Sequence, residues 1–425
     1  MPVFVFAGVA VVLFAISAPI FLAILAPTLI SFELFGPPIP SMAIVQQMMQ
    51  GINKFSLLAI PLFIFAADII ARGEIGERLL NLVESVIGHV TGGVAITTAV
   101  ACAMFGAISG IGAAAVVSIG PIVYPALLKQ GYSRGFTVGL ILSASTLAML
   151  IPPGVAMILF SLQTMSSVGS VFLAGLSAGV IFTAALAAYA YVYARINGIG
   201  RQRKATWEER WVSLKRAGWA MGLPAIVFGG IYSGTFTPTE AASGACVYAI
   251  FVETLIYRQI RFFDLLRISS ESAKVIATLL ILIAAGSAMT FYLTLENVPQ
   301  AISGILEGQS RIIVLLTINA VFLLAGMFVD PNSAIIVLTP LVFPATETLG
   351  IDQVHLGAII VLNVAVGMIS PPFGLNIFIG MTTFKVPYLE IVQSVLPFIV
   401  LALMVLALVT YVPVLVTWLP ERVMG

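Results

Sequence analysis

Across 425 residues, 60% are hydrophobic and 9% charged, with a mean hydropathy of +1.12. A water-soluble domain carries about 25% charge, so this chain is an integral membrane protein. Its net charge of +1 gives nucleic acid nothing to bind electrostatically.

The chain opens on MPVFVFAGVAVVLFAISAPIFLAILAP, with no basic residue ahead of the apolar run. The run is longer than a signal-peptide core, which predicts a retained first helix over 3–30. A second crossing is expected at 53–71, then an interfacial amphipathic stretch at 74–86 (EIGERLLNLVESV). The segment 94–128 is about 35 residues long and is interrupted at Ser109-Gly110-Ile111-Gly112. Two half-length helices cannot each cross roughly 30 Å of hydrocarbon, so a re-entrant hairpin is expected there. Crossings follow at 135–165, 168–194, 217–234, 239–258 and 273–293, then a second amphipathic stretch near 296–306. A second hairpin is expected at 311–347, interrupted at Asp330-Pro331-Asn332-Ser333, and crossings at 353–380 and 389–417 complete the chain.

One pattern occurs twice. Pro121, Pro125, Gly131 and Pro152-Pro153 recur 219 residues later as Pro340, Pro344, Gly350 and Pro371-Pro372. Proline and glycine free backbone groups that hydrocarbon cannot satisfy, so such breaks belong where protein walls a cavity. With the N-terminus cytoplasmic, 16 of the 19 basic residues fall in cytoplasmic segments, leaving Lys54, Arg311 and Arg422 outside. Five crossings then separate the hairpins, so the two repeats are inverted, an architecture suited to alternating access. The division is 1–194 for the first repeat, 195–238 for a basic loop and linking helix, and 239–425 for the second repeat. Trp207, Trp211 and Trp219 beside the basic loop suit the headgroup region.

The stretches IPLFIFAADIIARG (60–73), GAISGIGAAAVVSIGPIVYPALLKQGY (106–132), IPPGVAMILF (151–160), GGIYSGTFTPTEAA (229–242), GMFVDPNSAIIVLTPLVFPATETLGID (326–352) and GMISPPFGLNIFIG (367–380) resemble the large membrane subunit of TRAP transporters, the tripartite ATP-independent periplasmic transporters. The resemblance covers essentially the whole chain. It implies an all-α, inverted-repeat, elevator-type ion-transporter fold in a bacterial inner membrane. It also implies sodium-coupled uptake, a periplasmic solute-binding protein and a small four-helix membrane subunit, one per large subunit. Members of the family carry C4-dicarboxylates, sialic acids and other organic acids.

A sodium ion takes oxygen ligands, and helix C-terminal carbonyls freed by a turn supply them without a buried charge. With the family's architecture, this places one ion site at Ser109, Ile111, Ala148, Ile151 and Pro153, and a second at Phe328, Asp330, Gly367, Ser370 and Pro372. Relatives often carry Gly-x-Ser-Gly-Ser at the first tip; Ile111 replaces the second serine, so that site relies on backbone carbonyls. The alternative is that small residues here simply let hairpin and helix pack closely. Ser145, Thr146, Asn332, Ser333 and Asn376 are candidate hydrogen-bond donors to an anionic solute at half-helix N-termini.

Asp330, an ionisable group at expected mid-membrane depth, is a candidate for ion binding or gating, the alternative being a turn cap beside Pro331. Asp68 stands four residues before Arg72 and is expected to pair with it. Thr237-Pro238-Thr239-Glu240 has the order of a capping box. Cys102 and Cys246, far apart in apolar runs, read as small core residues. His89 and His355 fall at segment ends with no metal-binding spacing or serine elbow, and no Walker A sequence occurs, so an enzyme is not expected. An ion channel or a structural membrane subunit is the alternative to a symporter, since re-entrant loops serve channels too.

Overall fold

The computed structural model of the protein describes residues 2–36, 39–306 and 308–424, all helix and connecting turn, with no strand among the described residues. Among them, seven helices are long and apolar enough to cross a membrane, or eight if the bent pair Arg134–Leu150 and Val155–Thr164 is one span.

The expected helix over 3–30 is in fact two, α1 (Pro2–Ala15) and α2 (Ile20–Phe35). Ser17 takes a left-handed φ of 57°, and Pro19, with no N–H to continue a helix, stands at the start of α2. A short helix, α3 (Met42–Ile52), occupies a stretch the sequence pattern leaves unassigned. It is followed by α4 (Ala59–Arg72) and α5 (Ile75–Ile87). On α5 the buried residues Ile75, Leu79, Leu80 and Val83 share one face, as the amphipathic pattern predicts.

The first hairpin is α6 (Gly93–Ser109) and α7 (Gly112–Lys129). The bent helix after it comprises α8 (Arg134–Ser145), the single turn α9 (Leu147–Leu150) and α10 (Val155–Thr164), and α11 (Val168–Ile196) closes the repeat. The linking helix begins at Trp207, not 217: α12 (Trp207–Pro224) continues through a π-helical turn, Ala225–Gly229, into α13 (Gly230–Tyr232). Its charged first turns hide it from hydropathy, while the Thr206–Glu209 capping box marks its true start.

The second half comprises α14 (Pro238–Phe251), α15 (Phe262–Leu295), α16 (Val298–Leu306), the hairpin α17 (Arg311–Phe328) and α18 (Pro331–Thr348), the bent pair α19 (Gln353–Gly367) and α20 (Leu375–Phe384), then α21 (Tyr388–Tyr411) and α22 (Val414–Met424). The crossing expected over 389–417 therefore ends at Tyr411, with Pro413 just before a separate helix. The Thr237–Glu240 capping box forms as expected.

The repeat is exact in register. Ser109 and Phe328 end the first limbs, Gly112 and Pro331 begin the second, and Arg134 and Gln353 begin the bent helices, each pair 219 residues apart. Four of the repeated prolines break nothing, since Pro121 and Pro125 lie inside α7, and Pro340 and Pro344 inside α18. Only the pairs Pro152-Pro153 and Pro371-Pro372, each with a cis peptide bond, interrupt a helix. Packing is exchanged between halves: α10 lies on α18 and α20 on α7, while α8 lies on α21 and α19 on α11. Such reciprocity is what two-fold-related repeats produce. Around this body α2, α3 and α4 gather on α15, and α14 packs on α4. The arms α5 and α16 lie against hairpin limbs α6 and α18.

One polar arrangement differs from the sequence expectation. Asp68 does not pair with Arg72; it accepts a hydrogen bond from Ser272, while Arg72 pairs with Glu271. Both partners lie on α15, and tertiary packing overrides the local i,i+4 geometry. His355 is wholly buried in the first turn of α19, its Nε2 2.9 Å from the Val409 carbonyl oxygen. Nearby, Asn319 Nδ2 donates to Thr410 Oγ1 at 3.0 Å and Asn363 Nδ2 to Asn319 Oδ1 at 2.6 Å, tying α17, α19 and α21 together. Replacing Asn319 with alanine leaves Thr410 without its donor and Asn363 with only the Ile359 carbonyl at 3.0 Å, and is expected to cost about 1–3 kcal/mol. Thermal unfolding in detergent, read against Asn53→Ala, checks this.

Candidate functional site

The first tip is built by three residues of different backbone shape. Helix α6 ends at Ser109, Gly110 takes a left-handed φ of 62°, and Ile111 is extended before α7 starts at Gly112. A Cβ on Gly110 would lie 2.2 Å from the Pro153 carbonyl oxygen, so the tip rests directly on the Pro152-Pro153 turn. One turn earlier, a Cβ on Gly106 would lie 2.4 Å from Ala148 Cα, so limb and bent helix touch backbone to backbone.

The second tip repeats the docking with different chemistry. A Cβ on Gly367 would come within 2.6 Å of Gly326 backbone atoms, which brings α17 and α19 together as α6 and α9 are. Here the turn is fixed by Asp330, whose Oδ1 accepts the Asn332 and Ser333 N–H groups at 3.1 Å each and whose Oδ2 accepts the Ser333 hydroxyl. Asp330 is thus the N-cap of α18, the turn-cap alternative in physical form, and its carboxylate also borders the cavity described next.

Both tips face one cavity of about 580 Å³. Each hairpin limb is 17 or 18 residues long, roughly 26 Å at 1.5 Å per residue, so limb length does not by itself forbid a crossing. The shared cavity is what identifies the tips as interior. Its lining includes the first residues of four half-helices: Gly112 and Ala113 of α7, Val155 and Ala156 of α10, Pro331 to Ser333 of α18, and Leu375 of α20. Each such end carries roughly half a positive charge. Ile20, Ile64, Thr278 and Leu282 form the opposite wall from α2, α4 and α15. Among the described residues no lysine or arginine lines the cavity, while Asp330 does and already takes two α18 N–H groups, so an anionic group there meets the remaining helix-end N–H groups rather than a side-chain cation.

Behind the cavity lie the carbonyl ends. At the first tip the C-terminus of α6 meets the α9 turn, with Gly106 against Ala148 and Gly110 against Pro153, and Ser109 between them in sequence. Ile111 itself borders the cavity, and the Ile151 side chain turns away to pack on α11, where a Cβ on Gly179 would lie 2.6 Å from its Cδ1. At the second tip Phe328 and Asp330 stand beside the α19 end, with the Phe328 and Phe373 rings 5.7 Å apart. Three carbonyls there are already engaged: Gly367 accepts Ser370 N–H at 3.0 Å, Ser370 accepts Gly374 N–H at 3.1 Å, and Pro372 accepts the Tyr388 hydroxyl at 2.9 Å. Oxygen retains a second lone pair in each case. Among the described residues no cluster of three or more His, Cys, Asp or Glu side chains could hold a metal ion.

Of the candidate solute contacts, Asn332 and Ser333 line the cavity. Ser145, Thr146 and Asn376 do not; all three are fully buried behind it. Asn376 Nδ2 donates to Ser145 Oγ at 2.8 Å and to the Leu142 carbonyl at 3.2 Å, which joins the two bent helices across the repeats. The Ser145 and Thr146 hydroxyls donate to carbonyls of their own helix. Residue type alone cannot distinguish a donor that faces the cavity from one that ties the walls behind it. Thr278, Met149 and Met368, also in the lining, carry no sequence signal of a site, and Gly367, expected above as an ion ligand, makes the close backbone contact with Gly326.

A cavity between the tips of two repeated hairpins, closed on its other side by α2, α4 and α15, is the arrangement of a membrane-transport protein. The chain belongs to the DctM component family of tripartite ATP-independent periplasmic transporters, whose family model matches residues 7–415. It is 40% identical over 414 residues to the ectoine/5-hydroxyectoine TRAP transporter large permease protein UehC of Ruegeria pomeroyi, covering 97% of each chain. It is 34% identical over 430 residues to the C4-dicarboxylate TRAP transporter large permease protein DctM of Rhodobacter capsulatus, covering 97% of this chain and 98% of that one. The crystal structure of the Alcanivorax borkumensis YdaH transporter has the same fold, with a TM-score of 0.67 over 97% of this chain and 99% of that one, at 14% sequence identity. The chain is a TRAP large permease, a transporter and not an enzyme.

Proposed function

We propose that this permease takes up a small organic acid by sodium symport, with one sodium ion in the carbonyl cradle behind each tip, and that hairpins and bent helices slide as one body along the scaffold. The observation that carries this reading is the convergence of four half-helix N-termini on one cavity, with helix carbonyl ends directly behind it. Positive ends in front suit a carboxylate and negative ends behind suit a small cation, so the two ligands stabilise each other across the tips. In this reading Ser109, Ala148, Pro153 and the neighbouring carbonyls serve the first ion, and Phe328, Gly367, Ser370 and Pro372 the second. Asn332 and Ser333 meet the solute.

C4-dicarboxylates and ectoine, named for the relatives above, and 2,3-diketo-L-gulonate, named for an Escherichia coli permease 30% identical over 423 residues, all bear a carboxylate. Sialic acid shares that group. A carboxylate solute is therefore the class proposed. A periplasmic binding protein would deliver it, and a small membrane subunit would extend the scaffold. In support, the isethionate TRAP transporter permease protein DctMQ of Oleidesulfovibrio alaskensis aligns with 85% of this chain over only 58% of its own length. In this reading the assembly lies in the inner membrane, and the bias of basic residues supports a cytoplasmic N-terminus.

Proteoliposomes holding the chain and its small subunit test the proposal against a channel. The expected result is saturable carboxylate uptake that requires a loaded binding protein. Ohmic current without such uptake would refute it.

A further inference from the structure

Glu253 is a fully buried acid that neither the cavity nor the tips use. It stands in a π-helical turn, Val252–Ile256, that follows α14. Its Oε1 accepts the Ile75 N–H at 3.0 Å and its Oε2 accepts the Glu74 N–H at 3.1 Å. These are unsatisfied donors at the start of α5, so a carboxylate from one helix caps another, distant in sequence. Residue 73 must be small for this: a Cβ on Gly73 would lie 2.0 Å from the Glu253 carboxyl carbon.

Further bonds surround the cap. Arg78 Nε donates to Glu74 Oε2 at 2.8 Å, its Nη1 donates to the Arg216 carbonyl at 3.1 Å, and its guanidinium sits 3.8 Å from the Tyr257 ring centroid. Tyr257 donates to the same Arg216 carbonyl at 3.2 Å. Helices α5 and α12 and the segment after α14 are thereby joined at one point. A buried carboxylate is costly unless it is hydrogen-bonded, and the positive end of α5 matches its charge.

Hairpin limb α6 packs along α5 from this capped start, where a Cβ on Gly76 would lie 3.3 Å from the Phe105 ring, and at its other end α5 leads into the turn containing Gly88, Gly92 and Gly93. The equivalent arm α16 buries only Pro299, and among the described residues no scaffold side chain caps its first turn.

The geometry points to Glu253 as a positioning residue for transport. It pins the start of α5 to the scaffold, so that displacement of the first hairpin is taken up at the α5–α6 contact and the glycine turn, while the corner between α4 and α5 stays fixed. This rests on the sliding-body reading above.

The test uses the full chain with its small subunit in lipid nanodiscs, as Glu253→Gln and as Gly73→Ala. Glutamine keeps the shape but presents an N–H₂ to one of the two N–H groups, and Gly73→Ala displaces the carboxylate. Amide hydrogen exchange in residues 74–78 is expected to speed up about tenfold in both variants, with exchange in α14 unchanged. Maximal uptake is expected to fall at least about fivefold with the half-saturating solute concentration unchanged, a split that simple loss of folded protein does not combine with localised exchange. Unchanged exchange at 74–78 in Glu253→Gln overturns the pin itself. Faster exchange with wild-type uptake overturns its role in transport. Failure of the symport reading would appear separately, as wild-type protein lacking sodium-dependent uptake while the exchange difference persists.

Discussion

Replacing Gly110 with valine is expected to abolish uptake while leaving most of the protein folded. The residue holds a left-handed φ of 62°, and its missing side chain is replaced in space by the Pro153 carbonyl oxygen, 2.2 Å from where a Cβ would sit, and by Gly154 Cα at 3.2 Å. The left-handed backbone costs a residue with a Cβ roughly 1–2 kcal/mol. The larger effect is steric, because backbone cannot yield as a side-chain end can. The tip must lift off the Pro152-Pro153 turn, which opens the carbonyl cradle and changes the cavity wall at Gly112. Uptake in proteoliposomes should fall at least about a hundredfold, since misplacement by ~1 Å at a site already costs that order in rate. Gly131→Ala is the control. It shares the positive φ, at 93°, but meets nothing within 4 Å, so it should lose little uptake.

Asp330 carries the second large effect, and two substitutions separate its two duties. Alanine removes the acceptor of the Asn332 and Ser333 N–H groups, a cap worth about 0.5–2 kcal/mol, together with the charge at the cavity edge. Asparagine keeps the Oδ1 acceptor and removes the charge, its N–H₂ facing a Ser333 hydroxyl that can turn to accept it. Asp330→Ala should therefore lower both the melting temperature and uptake. Asp330→Asn should melt near the wild type yet need at least about tenfold more sodium for half-maximal uptake, because the charge-assisted part of cation binding is lost. Wild-type sodium dependence in Asp330→Asn would reduce Asp330 to a cap.

The parts of this molecule that were legible in sequence are those written twice. The 219-residue register located both hairpins to within a residue or two and matched each to its bent helix, because inverted repeats impose the same break at the same distance. Proline as such was a poorer guide. Pro27, Pro121, Pro125, Pro340, Pro344 and Pro397 all lie inside helices, where packed neighbours tolerate the lost bond, whereas the break at Ser17–Pro19 was hidden in uniform hydrophobicity. Long-range pairing was illegible for a different reason. Asp68 and Arg72 are ideal neighbours on a helix, yet Ser272 and Glu271, about two hundred residues away, take their places. The same limit applies to the site: Ser145 and Asn376 have the chemistry of solute contacts, but they spend it on each other.

Sodium held behind the tips is the driving ion of the proposed cycle. The most direct measurement is solute accumulation in proteoliposomes containing the chain and its small subunit, with loaded binding protein outside, under an imposed inward sodium gradient and a matched potassium gradient. Accumulation above the external solute concentration is expected with sodium and none with potassium, and the sodium-driven accumulation should collapse in Gly110→Val. Equal accumulation under either cation, or accumulation with no cation gradient at all, would contradict it.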